Sequence, residues 1–222
     1  MDIDLSDYNL SNSLFAGQFA SEWAEIESVL KAMPVHVKAS DQDGKQGNDI
    51  FDPVGSNEAI KAGLRAKGGW VLNPPIPPQF AFLGTDVDFM KNGILVESQF
   101  SNYPFFLNNL LRSELFFRNQ PTIGGQQVKA LVMITKDRMF EASNSTLYYQ
   151  QGVEQTANLA SFNMISIPVR VVGLKVQPNV KVPAVVTAYH AARYSRTVVN
   201  TTNIDITLAS PKTARGRHQF VR

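Results

Sequence analysis

The chain has 222 residues, of which 44% are hydrophobic and none is cysteine. It is therefore long enough for one sizeable core, and it cannot form disulfides, thiolate nucleophiles or cysteine-built zinc sites. The acidic start lacks the basic segment and apolar run of a secretory signal, and no apolar stretch approaches the roughly 18 residues that span a bilayer. We expect a soluble, cytoplasmic protein with no membrane partner.

Charge is distributed unevenly along the chain, although the formal net charge is only +2. Residues 1–100 carry 14 acidic and 7 basic side chains, whereas residues 101–222 carry 5 acidic and 14 basic ones. Such segregation can give a polyanion a basic face while carboxylates gather elsewhere. The alternative is a merely basic C-terminal tail, to which Lys212, Arg215, Arg217 and Arg222 contribute. Charge alone therefore leaves nucleic acid binding open.

The first half of the chain predicts two helices and an extended connection. An amphipathic helix that ends before Pro34 is indicated by steps of four, three and four between Phe19, Trp23, Ile26 and Leu30. Ser56 is a plausible N-cap for a short helix that stops before Gly68. Residues 73–78 contain four prolines, which favour an extended connection.

A β-hairpin is predicted next, with strands over 82–89 and 94–100 and a turn over 90–93. A helix follows from about Pro104, because leucines recur every four residues at 107, 111 and 115. A buried strand is predicted over 128–135, a helix over 148–162, and further strands over 167–174, 180–189, 196–199 and 204–208.

This order of elements predicts an α/β fold: a central mixed β-sheet flanked by helices, with an additional β-rich subdomain. We place the boundary at about residue 165. Residues 1–165 form the expected α/β core, including helices for dimerisation, and residues 166–222 form the β-rich part.

Three polar side chains of the predicted hairpin form a candidate metal site. Side chains alternate along a strand, so Glu97 and Gln99 share a face, about 7 Å apart at roughly 3.3 Å per residue. Asp88 lies near the end of the neighbouring strand and can meet them if the turn is tight. Two carboxylates and an amide are oxygen ligands that suit Mg²⁺. A cation held there could lower the pKa of a bound water and offset charge on a phosphate.

The same spacing could also arise by chance at exposed polar positions of an edge strand. Residues 94–100 are otherwise mostly apolar, so an unpaired buried carboxylate at Glu97 would be costly. Either a metal ion or a buried hydrogen-bond partner would compensate for it.

Longer blocks of sequence carry a resemblance. Two segments resemble the BglII family of type II restriction endonucleases: Phe82-Leu-Gly-Thr-Asp-Val-Asp-Phe89 and Leu95-Val-Glu-Ser-Gln-Phe-Ser-Asn-Tyr-Pro104. The same resemblance extends to residues 33–41, 50–55, 142–149 and 193–197. That family belongs to the PD-(D/E)XK nucleases, in the variant with Gln in place of the usual Lys. The resemblance runs from near residue 20 to about 197, and the last twenty or so residues show none.

The resemblance implies a restriction-endonuclease-like core and roles for individual residues. Asp88 would bind the metal, assisted by the backbone carbonyl of Ser98. Glu97, acting on the metal through water, and Gln99 would hold and polarise waters, and Asn73 matches a further active-site position. The implied DNA-reading residues are Ser101, Asn102, Asn144, Ser145, Tyr194 and Arg196, whose side chains suit base edges or phosphates. From their residue types alone, Asn144 and Ser145 could equally shape a turn or cap the next helix.

The resemblance also implies an activity. The expected enzyme is a bacterial, cytoplasmic homodimer that uses Mg²⁺ to cut both strands of the palindrome AGATCT after the first A, leaving 5′ GATC overhangs. A partner DNA methyltransferase would protect the same site. Ala191 and Ala192 stand where family members carry charged residues, which leaves the outermost base pair open. The alternatives are a nuclease of another GATC-centred palindrome and a catalytically silent site-specific DNA-binding protein.

Overall fold

The computed structural model describes residues 1–143, 146–191, 195–211 and 218–222. The helices are α1 Ser11–Ala16, α2 Ala20–Ala32, α3 Pro53–Lys67, α4 Tyr103–Asn119 and α5 Tyr149–Ser161, with a 3₁₀ helix over Pro78–Leu83. The strands are β1 Asp2–Tyr8, β2 Val35–Ala39, β3 Asp49–Phe51, β4 Val71–Leu72, β5 Phe89–Lys91, β6 Ile94–Ser98, β7 Ala130–Lys136, β8 Val169–Lys175, β9 Lys181–Tyr189, β10 Val198–Ala209 and β11 Gln219–Val221.

Six of the described strands form a mixed sheet in the order β1-β8-β7-β6-β5-β4. Its central strands β6, β7 and β8 are parallel, whereas β1, β4 and β5 run antiparallel to their neighbours. Parallel neighbours need crossover connections, and α4 and α5 supply them between β6, β7 and β8. All five residues of β6 are buried. Strand β6 is therefore a central element of the fold that also carries Glu97.

Two apolar clusters cover the faces of this sheet. On one face, Phe106, Leu110 and Phe116 of α4 pack against alternate residues of β6 to β8. On the other face, residues of α1, α2 and α3 share one cluster with Ile94, Val96 and the second sheet. The expected mixed sheet flanked by helices is confirmed.

The described strands of the second sheet have the order β11-β10-β9-β2-β3, in which β2 runs parallel to β9. The two sheets do not follow the division expected at residue 165. Strand β8 lies after that residue but belongs to the six-stranded sheet, and β2 and β3 lie before it but belong to the five-stranded one. Strands that are distant in sequence thus complete both sheets.

Most predicted elements are present, with local corrections. The helices predicted around 19–30, from 104 and over 148–162 correspond to α2, α4 and α5. Ser56 lies inside α3, and Asp52 caps that helix by accepting from the Val54 amide at 3.1 Å. The predicted strand over 82–89 is wrong, because residues 78–83 form the 3₁₀ helix and β5 begins only at Phe89. Residues 198–209 form one strand, where two were predicted.

Among the residues that the structure describes, no helix combines the length and the apolar character needed to cross a bilayer.

Candidate active site

The β5–β6 hairpin brings Asp88 and Glu97 together. Its two-residue turn is Asn92-Gly93, both with positive φ (51° and 91°), the backbone that an Asn-Gly hairpin turn requires. This turn pairs Phe89 with Val96. Extending the register by one residue places Asp88 opposite Glu97, and directly opposed residues of an antiparallel pair share a face.

The carboxylate of Asp88 is held by Ser98. Its Oδ2 accepts hydrogen bonds from the Ser98 amide at 2.7 Å and from the Ser98 Oγ at 2.9 Å. Burial raises the pKa of Asp88 above its ordinary value, although the two bonds from Ser98 oppose the shift. The hydrogen bonds from Ser98 therefore fix the orientation of the Asp88 carboxylate, but they do not fully offset the cost of burying its negative charge.

Glu97 is 2% exposed and pairs with Arg112 of α4, whose Nη2 donates to Glu97 Oε1 at 2.6 Å. Burial, reinforced by the negative charge of Asp88, raises the pKa of Glu97 to about 8 against the opposing effect of Arg112. Gly84, with φ 130°, allows Arg112 to approach, since a Cβ there would lie 3.0 Å from Arg112 Nη1. The buried hydrogen-bond partner anticipated from the sequence is therefore present, and it is an arginine.

The other predicted active-site residues lie beside this pair. Asn73 is exposed, has φ 49°, and donates its amide to the Asp88 carbonyl at 2.9 Å. Gln99 follows β6, donates its amide to the Ile134 carbonyl at 2.8 Å, and directs its side-chain Nε2 to the Ser101 carbonyl. Backbone contacts thus gather these residues at the carboxyl end of β6.

The predicted DNA-reading residues divide between two places. Ser101 and Asn102 lie directly after this site, where Asn102, exposed and with φ 54°, begins α4. Arg196 is exposed in the connection from β9 to β10 on the other sheet. Asn144, Ser145 and Tyr194 lie outside the described residues.

The donor set at the carboxyl end of β6 fits a hard cation. Within the described ranges, no group of three His, Cys, Asp or Glu side chains is arranged to hold a metal ion. One or two carboxylates are nevertheless the usual protein ligands of Mg²⁺, which keeps several waters and shares substrate phosphates. Asp88 and Glu97 provide two carboxylates whose pKa values are raised mainly by burial, and for Glu97 also by the charge of Asp88. A bound cation would favour the charged form of both.

Sequence patterns did not single out Arg112. The leucines at 107, 111 and 115 predicted the helix, but Leu111 and Leu115 are exposed (43% and 38%). The buried side of α4 carries polar residues among its aromatic ones, and Arg112 is one of them. Arg112 follows Leu111 of the leucine repeat, and nothing in that pattern indicates that a charged residue at this position is buried. Only the folded structure identifies Arg112 as the partner of Glu97.

Comparison with known proteins gives a consistent result. The sequence model of the family described as restriction endonuclease BglII/BglIII matches residues 3–174. The chain is 50% identical over 198 residues to the type II restriction enzyme BglII of Bacillus subtilis, covering 89% of this chain and 87% of that enzyme. The crystal structure of BglII complexed with a DNA 16-mer is similar with a TM-score of 0.93, 46% identity, and coverage of 100% of this chain and 99% of that one. The free BglII structure is similar with a TM-score of 0.75, 42% identity and full coverage of both chains.

We predict that Arg112→Met destabilises the fold by about 3–5 kcal/mol at alkaline pH, because it leaves the Glu97 carboxylate buried without its partner. A raised pKa means that the folded state binds the proton more tightly than the unfolded chain. The variant also lacks the opposing effect of Arg112, so the pKa of Glu97 in it lies above the wild-type value of about 8. The loss should therefore shrink as the pH falls through that higher pKa and Glu97 becomes neutral. Urea unfolding at several pH values measures both effects.

The control is Arg118→Met on the same helix, whose ion pair with Glu114 has a 55% exposed arginine and should contribute about 1 kcal/mol or less. The double variant Arg112→Met/Glu97→Gln should recover much of the lost stability. If Arg112→Met and Arg118→Met lower the free energy of unfolding by the same amount, the buried pair of Arg112 and Glu97 does not contribute the stability assigned to it.

Proposed function

Since the chain belongs to the BglII/BglIII family of restriction endonucleases and is a site-specific deoxyribonuclease, we propose that it works as a Mg²⁺-dependent homodimer on the palindrome AGATCT. Cleavage after the first A of each strand leaves 5′ GATC overhangs. The observation that supports metal-dependent cleavage most directly is that the Asp88 carboxylate, bound by Ser98, lies near Glu97 where β6 ends, just before Ser101 and Asn102. Restriction endonucleases generally use divalent metal ions, and the donor set fits Mg²⁺.

In the proposed mechanism each residue has a separate task. Asp88, oriented by Ser98, holds the cation together with the Ser98 carbonyl, and Asn73 fixes the backbone of Asp88 from the neighbouring strand. Glu97 and Gln99 would hold and polarise metal-bound and attacking waters. Mg²⁺ bound there would lower the pKa of a bound water and offset charge on the phosphate. The hydrogen bond from Arg112 fixes the orientation of the Glu97 carboxylate.

Recognition is proposed to use two pairs of residues and one segment of the second sheet. Ser101 and Asn102 follow the catalytic strand, and Asn144 and Ser145 precede α5. Asn can pair bidentately with adenine, and hydroxyls reach base edges. Tyr194 and Arg196, from the β9–β10 connection, complete the set and contact bases or phosphates.

A homodimer is supported by the outer side of α4. Leu111 and Leu115 lie one helical turn apart on it and are exposed. Exposed apolar side chains aligned on one helix are typical of a protein interface. A palindrome cut on both strands calls for two active sites related by a two-fold axis. We therefore assign the outer side of α4 to the dimer contact.

The proposed role includes a cellular setting. An enzyme that cuts AGATCT would cut the chromosome of its own cell unless that sequence were modified. We therefore propose a DNA methyltransferase of the same specificity as its partner and the bacterial cytoplasm as its location.

The direct test is to incubate the purified protein with phage DNA and Mg²⁺ and to sequence the ends. We expect every 5′ end to begin with GATC, and the base that precedes it in the uncut phage DNA to be A. Ends at another GATC-centred palindrome would contradict the outermost base pair alone. Specific binding without any cleavage would contradict the enzymatic proposal.

We predict that Asp88→Asn abolishes cleavage in Mg²⁺ while site-specific binding in Ca²⁺ remains, because the change removes a cation ligand and no base contact. The matched control is Asp86→Asn, an exposed carboxylate two residues away that should cut nearly normally. Gel-based cleavage and binding assays measure both. Near-normal cleavage by Asp88→Asn would exclude Asp88 from the mechanism.

We predict that Leu111→Glu combined with Leu115→Glu produces a folded monomer, because four glutamates cannot be buried together in a two-fold contact. Sedimentation velocity reports the species. Leu10→Glu, at a more exposed leucine (79%) outside α4, is the control and should leave the dimer intact. A wild-type monomer both free and on DNA would contradict the proposed assembly.

A further inference from the structure

Lys136, at the end of β7, is a fully buried lysine that the proposed mechanism does not use. Its ammonium group has three acceptors among the described residues: the Phe100 carbonyl, Thr146 Oγ1 at 2.5 Å and the Leu147 carbonyl at 2.8 Å. An ammonium group has three donors, so each one has a partner. The rings of Phe51 and Tyr148 lie 5.4 and 5.1 Å from Nζ.

The acceptors of Lys136 lie next to the proposed DNA-reading residues in the chain. Phe100 directly precedes Ser101 and Asn102, and Thr146 directly follows Asn144 and Ser145. Ser101 and Thr146 also form an isolated antiparallel bridge, and Thr146 Oγ1 donates to the Phe100 carbonyl at 3.2 Å. Lys136 therefore contacts the chain beside both pairs of these residues.

Burying the charged side chain of a lysine at this position costs free energy. Burial lowers the pKa of Lys136 to about 7, and no carboxylate among the described residues offsets the cost. A methionine would fill a similar volume without a buried charge. An ammonium group, in contrast to an apolar side chain, fixes the distance and direction between the carbonyls of two separate segments.

We propose that Lys136 is a positioning residue for sequence recognition, which holds the segment after β6 and the segment before α5 at one fixed spacing. Because Phe100 also follows Gln99 directly, the same contacts connect recognition to the catalytic strand. This inference rests on the proposed DNA-reading role of residues 101–102 and 144–145.

The test compares Lys136→Met with Thr135→Val. Thr135 is the neighbouring residue, is equally buried, and its hydroxyl has no partner in the described part of the chain. Cleavage kinetics are measured on duplexes with the site that end sequencing assigns to the wild-type enzyme and on duplexes with one base pair changed. Binding to an unrelated duplex in Ca²⁺ and the urea midpoint are measured in parallel.

We expect Lys136→Met to lower kcat/KM on the wild-type site by roughly ten- to a hundredfold, the range for losing hydrogen bonds to a charged group. The altered sites should lose less, so the specificity ratio falls, while binding to the unrelated duplex is unchanged. Thr135→Val should keep the wild-type ratio. An unchanged ratio in Lys136→Met would overturn the proposal, even if stability were lost.

Thr146→Val provides a second route if Lys136→Met does not fold, because it removes one partner and keeps the lysine. It should lower the specificity ratio in the same direction by a smaller factor, and an unchanged ratio would again overturn the proposal. A wild-type enzyme that cuts a palindrome other than AGATCT would contradict the proposed site only. The Lys136 comparison then proceeds on the palindrome found.

Discussion

The structure depends on placing a carboxylate in a strand that is buried along its whole length. Strand β6 lies at the centre of the six-stranded sheet, and an unpaired charge there would cost several kcal/mol. Arg112 compensates for Glu97 from α4, the helix that follows β6 in the chain. The crossover helix α4, which makes the parallel pairing of β6 and β7 possible, thus also carries the arginine that allows Glu97 to be buried. Fold and site are two consequences of one connection.

This dependence gives α4 several tasks on different sides. Its N-terminus follows Ser101 and Asn102, its buried side carries Arg112, and its outer side exposes Leu111 and Leu115. In the proposed dimer, a shift of this helix would move an active-site partner and a recognition segment together.

Sequence patterns predicted the parts of the molecule that local chemistry determines. The hairpin that brings Asp88 near Glu97 was predicted. Its first strand was placed too early, however, and its turn, predicted over 90–93, comprises only Asn92 and Gly93. Strand β1 was not predicted because its stabilising partners are remote: Asp7 pairs with Arg170 across the sheet. Arg112 and Lys136 could not be identified for the same reason. Their burial is decided by packing between segments, which hydrophobic periodicity does not encode.

The uneven charge of the sequence has a different meaning in the folded chain. Several bases of the second half are neutralised by acids of the first: Arg112 by Glu97, Arg170 by Asp7, Lys175 by Asp4 and Arg222 by Asp49. Part of the asymmetry therefore serves to join distant strands and helices and is not available to a phosphate backbone. Arg196 of the β9–β10 connection is exposed. For DNA binding, the positions of the bases that stay exposed are therefore more decisive than the total charge.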